Sequence, residues 1–162
     1  MNLRALGLGV AAAVVVLDQV AKEAASRALE GADIAALPFL DLVLARNTGI
    51  SFSLFAHGSE AARWALLAFT GAATLAVLAW LWRSRSRVAA FGLGLVLGGA
   101  VGNGLDRIVR GSVIDFLDLH FGAWHLFVFN LADAAISLGV AVLLWDGLFG
   151  AGASASARGN AA

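Results

Sequence analysis

Residues 64–82 run from one Trp to another without a single charged side chain. In lipid every backbone N–H and C=O must be satisfied within the segment, so a run of about 20 apolar residues has one stable solution, a helix that crosses the bilayer. Trp at both ends suits the two membrane interfaces. Three further apolar runs, at about residues 5–21, 88–105 and 128–149, have comparable length. Together they predict a mainly α, polytopic membrane protein with four transmembrane helices. The composition agrees: hydrophobic residues make up 60% of the chain and charged residues 14%, where a soluble domain carries about a quarter charged. The mean hydropathy is +0.86. A net charge of 0 gives no reason to expect a nucleic-acid partner. With no Cys in the chain, thiol nucleophiles, disulfides and thiolate metal sites are excluded.

The first run follows Arg4 and ends among small residues, which imitates a secretory signal peptide. We read it as a retained helix, because cleavage would remove Asp18, Gln19 and Lys22 and the chain continues into further spans. Orientation follows from the basic residues. Arg83, Arg85 and Arg87 crowd one short loop, which the positive-inside tendency keeps cytoplasmic. An even number of spans then puts both termini in the cytoplasm and loops 22–63 and 106–127 outside, although Lys22, Arg27, Arg46, Arg63, Arg107 and Arg110 go with them. Residues 1–149 read as one membrane domain, and residues 150–162, rich in Ala, Ser and Gly, as a disordered cytoplasmic tail. Whatever the sign of the orientation, the ends of the first and third helices, the start of the fourth and both long loops share one membrane face.

That face collects the polar residues. Residues 98–133 hold Asn103, Asp106, Arg107, Arg110, Asp115, Asp118, Asn130 and Asp133 between two apolar segments. Residues 40–45 alternate with period two and end in a turn signal, Asn47-Thr48-Gly49. Residues 112–119 and 124–129 are β-prone on either side of Gly122-Ala123, which predicts a hairpin. A small extracytoplasmic β-sheet resting on the membrane would therefore carry Asp115. Several of these residues also have plain structural readings. Asp18 and Lys22 have the spacing of an ion pair on one helix face. Asn130 and Asp133 have the spacing of a cap on the fourth helix. Gly94, Gly98 and Gly102 are spaced as helix-packing positions. Asp106 sits near a helix C-terminus, where the macrodipole opposes it, and we assign Arg107 to offset it. His120 and His125 flank a turn beside Asp118 but lack a recognisable metal-ligand spacing, and read as surface histidines.

Carboxylates beside hydrocarbon are costly unless paired or used. Asp115 and Asp133 lie on different local elements, and a fold that brought them together could make them share one proton and perform acid/base chemistry. A small ion-coupled carrier is the alternative from another class, but it would spread its acids through the bilayer depth. Here they crowd at one face, apart from Asp146. A non-catalytic assembly subunit would explain the glycines and leave the acids idle.

The chain resembles the bacterial lipoprotein signal peptidase family, the type II signal peptidases, over nearly its full length. The resemblance rests on Asp18-Gln19-x-x-Lys22, on Asn47-Thr48-Gly49-x-x-Phe52, on Gly98-Gly99-Ala100-x-Gly102-Asn103-x-x-Asp106-Arg107-x-x-x-Gly111-x-Val113-x-Asp115-Phe116, and on Phe129-Asn130-x-Ala132-Asp133-x-x-Ile136. It implies an aspartic endopeptidase of the inner membrane with Asp115 and Asp133 as its catalytic dyad. Such an enzyme removes the signal peptide from diacylglyceryl-modified prolipoproteins, just before the lipidated cysteine. It implies that Asp18, Lys22, Asn47, Gly49, Asn103, Arg107 and Asn130 line or support the site. No cofactor and no metal are called for; membrane lipid and the prolipoprotein are the partners, and the monomer is the expected working unit. Ile50-Ser51 departs from the small residues common after the turn glycine, and the loop with His120, Gly122 and His125 matches no fixed pattern.

Overall fold

A computed structural model describes residues 2–49 and 60–150. The element order is α1 (Leu3–Ala28), β1 (Ile34–Leu37), β2 (Leu40–Asn47), α2 (Glu60–Arg83), α3 (Arg87–Val109), β3 (Val113–Phe121), β4 (Trp124–Phe129) and α4 (Leu131–Trp145), which runs on into a π-helical turn, Asp146–Gly150. Among the described residues, four helices are long and apolar enough to cross a membrane. The expectation for Ile50-Ser51 and Phe52, and that for the tail beyond residue 150, lie outside the described residues.

α3 is the centre of the bundle, and its glycines make it so. A Cβ on Gly98 would stand 2.7 Å from the carbonyl oxygen of Ala11, and one on Gly94 would stand 2.5 Å from that of Gly7. α1 therefore lies directly against the α3 backbone. The neighbouring face does the same for α4, where a Cβ on Gly99 would meet the Ala132 carbonyl oxygen at 2.4 Å. Without a hydrophobic force between helices in lipid, this close approach is what packs them. The buried side chains Ala11, Leu81, Ala90, Leu93 and Leu97 fill the remaining space, and α2 contributes only Leu81 to them.

α1 extends well past the expected end of its apolar run. Two helical ion pairs, Asp18–Lys22 and Glu23–Arg27, carry it out of the hydrocarbon with i, i+4 support. α4 begins at Leu131 rather than near residue 128, because Phe127 and Phe129 are held in β4. The sheet is an antiparallel meander in the order β1-β2-β3-β4. β2 and β3 match the expected strands, and the β3–β4 hairpin turns at Gly122, whose φ of 59° suits the left-handed conformation that glycine tolerates. β1 was not expected. The sheet is fastened to the end of α1 by Ala25, Leu29 and Phe116, with Leu42, Leu44 and Leu117 packed against them.

Candidate active site

The site begins with a buried cation. Lys22 is fully enclosed; its Nζ lies 2.8 Å from Asp18 Oδ2 and 2.8 Å from Asp106 Oδ2, and it donates to Asn103 Oδ1 at 2.9 Å. Two carboxylates around one ammonium leave a negative balance, and a buried charge has to be matched. Arg110, one turn beyond Asp106, supplies the second cation by pairing with Asp106 Oδ1. Gln19 joins the group, its amide donating to Asp106 Oδ1 at 3.1 Å while its Oε1 accepts from Arg110 at 3.1 Å. Asp18 also reaches α4. Its Oδ1 accepts from the backbone N–H of Ala132 at 2.9 Å, satisfying one of the open donors at the start of that helix.

Above this base sit the two acids that the sequence singled out. Asp115, on β3, is 2% exposed. Its Oδ2 accepts from the Asn47 side chain at 2.9 Å and its Oδ1 from Asn130 Nδ2 at 2.6 Å. Asp133, on the first turn of α4, is half-buried. Its Oδ1 accepts from Asn103 Nδ2 at 2.8 Å and its Oδ2 from the Asn130 backbone N–H at 3.3 Å. Asn130 links the two acids. While its amide donates to Asp115 and to Asn103 Oδ1 (3.2 Å), its carbonyl accepts from the Asp133 backbone N–H at 3.0 Å. The capping box expected from residues 130 and 133 is thus present, and the same residues also build the polar cluster.

Burial pushes the Asp115 carboxyl above its ordinary range. The donated hydrogen bonds from Asn47 and Asn130 oppose this, and the nearby negative charge of Asp133 adds to it. The two acids are therefore near enough to influence one another electrostatically. Asn47 ends β2 and Gly49 follows it with φ 82°, so the backbone turns back and the Gly49 N–H donates to Asn47 Oδ1 at 2.8 Å. That bond aims the Asn47 amide at Asp115. A Cβ on Gly49 would also displace the end of the Leu66 side chain, 2.6 Å away, but it is the positive φ that calls for glycine.

One assignment is corrected. Arg107 does not offset Asp106; Lys22 and Arg110 do. Residues four apart share a helix face, so Asp106 and Arg110 meet while Arg107 points elsewhere. It donates to the Asn103 carbonyl oxygen at 3.4 Å and lies close to Gly49. Its Nε has no partner among the described residues. Gln19 and Arg110, present in the polar cluster and the motif, are therefore contributors to which the sequence reading gave no role in the site. The i, i+4 spacing of Asp106 and Arg110 was the available signal. The histidines also need revision. His125 is exposed and sits 2.6 Å from Asp118 Oδ2, but the His120 side chain is only 13% exposed and faces Asp41 at 3.3 Å. Asp118 is buried against His125 and away from the Asp115 contacts.

The chain matches the family described as signal peptidase (SPase) II over residues 10–149. Relatives named lipoprotein signal peptidase include one from Methylocella silvestris, 52% identical over 80% of this chain and 77% of its own length. Another, from a Methylobacterium species, is 44% identical over 97% of this chain and 94% of its own length. Among solved structures, a bacterial membrane enzyme determined by the in meso method superposes with a TM-score of 0.78 at 24% identity, covering 88% of this chain and 92% of the other. That likeness supports the fold: four membrane-length helices with a small antiparallel sheet.

Proposed function

This chain belongs to the signal peptidase II family, and from that premise we propose that it cleaves the signal peptide from prolipoproteins during lipoprotein maturation, as an aspartic endopeptidase whose dyad is Asp115 and Asp133. The observation that carries the catalytic assignment is the hydrogen-bonded bridge of Asn103 and Asn130 between the two acids, one deeply buried and the other half-buried.

The division of labour follows from burial. Asp115, raised by desolvation, holds the shared proton, and Asp133, the more open acid, is the base. Water attacks the scissile carbonyl carbon. Its proton passes to Asp133 while the Asp115 proton goes to the carbonyl oxygen, giving a neutral tetrahedral diol. The C–N bond then breaks: the amine nitrogen takes the proton from Asp133, and one diol hydroxyl returns its proton to Asp115 as the acid product forms. One protonated and one ionised carboxyl group are what such a step requires. Asp18, Lys22, Asn47, Gly49, Asn103, Arg107 and Asn130 position or enclose this pair.

The substrate class we assign is the diacylglyceryl-modified prolipoprotein, cut just before its lipidated cysteine. An apolar groove of about 360 Å³ between α2 and α3, lined by Leu67, Gly71, Leu75, Val101, Leu105 and Ile108, suits an acyl chain. We place the enzyme in the bacterial inner membrane as a monomer, termini in the cytoplasm and the dyad near the outer face. A reporter fused after Trp82 then works only in the cytoplasm and one at Gly31 only outside; the reverse pattern refutes the orientation.

The test of activity is cleavage of a lipidated preprolipoprotein by the purified protein, followed by mass shift. Asp115→Asn and Asp133→Asn each lower the rate by at least about 100-fold, with folding preserved. Near-normal cutting by the Asp133→Asn protein would leave Asp133 as the cap of α4 and nothing more.

A further inference from the structure

At the other end of α4, about 20 Å along its axis from Asp133 at 1.5 Å per residue, lies a second polar site. A cavity of about 410 Å³ is lined there by Trp80, Arg83, Arg85, Ser86, Leu143 and Asp146, among others. Ser86 caps α3, accepting from the Ala89 N–H at 3.2 Å, and its hydroxyl donates to Asp146 Oδ1 at 2.9 Å. Asp146 is half-buried and so held in place, whereas Arg83 and Arg85 are exposed.

The arrangement of charge is unusual. Long arginine side chains next to a fixed carboxylate normally close on it, yet no ion pair joins Asp146 to any described basic group. Arg4 is engaged with Trp82 instead, donating to its carbonyl oxygen at 3.4 Å and lying 5.8 Å from its ring centroid. Two guanidiniums and one carboxylate therefore line the same cavity without neutralising each other. Trp80 lines the cavity too, and with Trp82 it closes the last turns of α2, where an interfacial aromatic belt belongs.

We propose that this cavity is a binding site for the headgroup of a phospholipid that carries both a phosphate and a primary ammonium. Arg83 and Arg85 take the phosphate, as guanidiniums do. Asp146 Oδ2 takes the ammonium, whose three N–H donors supply what a trimethylated nitrogen lacks. Trp80 and Leu143 face the glycerol and the first acyl carbons. A headgroup with phosphate alone leaves Asp146 repelling it, so the acid is the element that selects.

The experiment uses the full chain in detergent micelles, doped in turn with phosphatidylethanolamine, phosphatidylcholine or phosphatidylglycerol. Retained lipid is counted by native mass spectrometry. The wild type retains phosphatidylethanolamine about threefold better than phosphatidylcholine, the size of effect one partly exposed ion pair produces. Asp146→Asn, whose carbonyl still accepts from Ser86, brings that ratio to about one while keeping phosphate-driven retention. Arg83→Gln with Arg85→Gln, both at exposed positions, lowers retention of all three lipids. Equal retention of the two zwitterionic lipids by the wild type overturns the proposal, as does a ratio unchanged in Asp146→Asn. So does retention unaffected by the double arginine change, which stands as the test if the Asp146 variant does not fold. Displacement of the lipid by millimolar inorganic phosphate would show a free-anion site and overturn the lipid assignment.

Discussion

Replacing Lys22 with Met tests the base of the site, because the shape is nearly kept and only the charge and its donors are lost. Lys22 is completely enclosed and makes three contacts of 2.8, 2.8 and 2.9 Å, to Asp18, Asp106 and Asn103. Removing one partner of a buried ion pair costs about 3–5 kcal/mol, since the abandoned charge stays buried. Here the loss is limited on one side, because Asp106 keeps Arg110. Asp18 keeps the Ala132 N–H and a 3.3 Å contact from Gln19 but no cation. We therefore expect about 3 kcal/mol, or a fall of about 10 °C in Tm for a chain of this length. Thermal unfolding in micelles reads it directly. The sharper measurement is the double variant: Lys22→Met with Asp18→Asn removes the orphaned charge together with its partner and recovers at least about 1 kcal/mol of the loss. A single-variant loss under about 1 kcal/mol, or strictly additive losses, would show that Lys22 and Asp18 are not coupled through burial.

Arg110→Ala costs about 2 kcal/mol because it exposes Asp106 to a net negative balance, while Arg107→Ala costs less than half of that; unfolding of the two variants side by side decides the ranking. Gly98→Val costs about 3 kcal/mol or prevents assembly, since a Cβ there meets the Ala11 carbonyl oxygen and Val14 Cβ at 2.7 Å, whereas Gly9→Ala, with nothing within 4 Å, is neutral or slightly stabilising. Cleavage falls as pH rises through the raised Asp115 value, because the proton on Asp115 is lost; a rate that climbs steadily across neutral pH refutes the assignment. For stability the sign is the same: with the folded value above the ordinary 3.8, the Asp115 contribution is greatest below that value and is lost as pH climbs through the raised one, which unfolding curves at several pH values measure.

Spans and strands were legible where a periodic signal exists. The uncharged run of residues 64–82 could only be a span, and the alternation of residues 40–45 and the Gly122 turn gave the sheet its core. β1 escaped because Ile34-Ala-Ala-Leu37 has neither alternation nor a second β-branched residue; it is held by pairing with β2 across the turn at Pro38 and Phe39, a tertiary cause. Asp18–Lys22 was legible as a local pair, but its meeting with Asp106 was not. That depends on Gly102, where a Cβ would stand 2.7 Å from Asp18 Oδ2. Gly102 read as a packing glycine; it is also the space in which the Asp18 carboxylate fits. The choice between Arg107 and Arg110 turned on rotation about the helix, which adjacency in sequence conceals.

The cap and the proposed dyad had looked like rival readings of Asn130 and Asp133, and the geometry is compatible with both. Capping places both Asp133 oxygens: one on the Asn130 N–H, the other within reach of Asn103. The Asn130 side chain meanwhile spans from the Asp133 N–H to Asp115. The acids are thus held by neutral amides and by the open N–H groups of a helix start, which stabilise negative charge without a full cation. Lys22 is joined to them through Asn103, which accepts from it at Oδ1 and donates from Nδ2 to Asp133. A lysine placed directly on either acid would favour the doubly ionised pair and remove the proton that acid/base chemistry needs. In the mechanism we propose, one amide of separation lets the same buried cation fix the architecture without pairing directly with either acid.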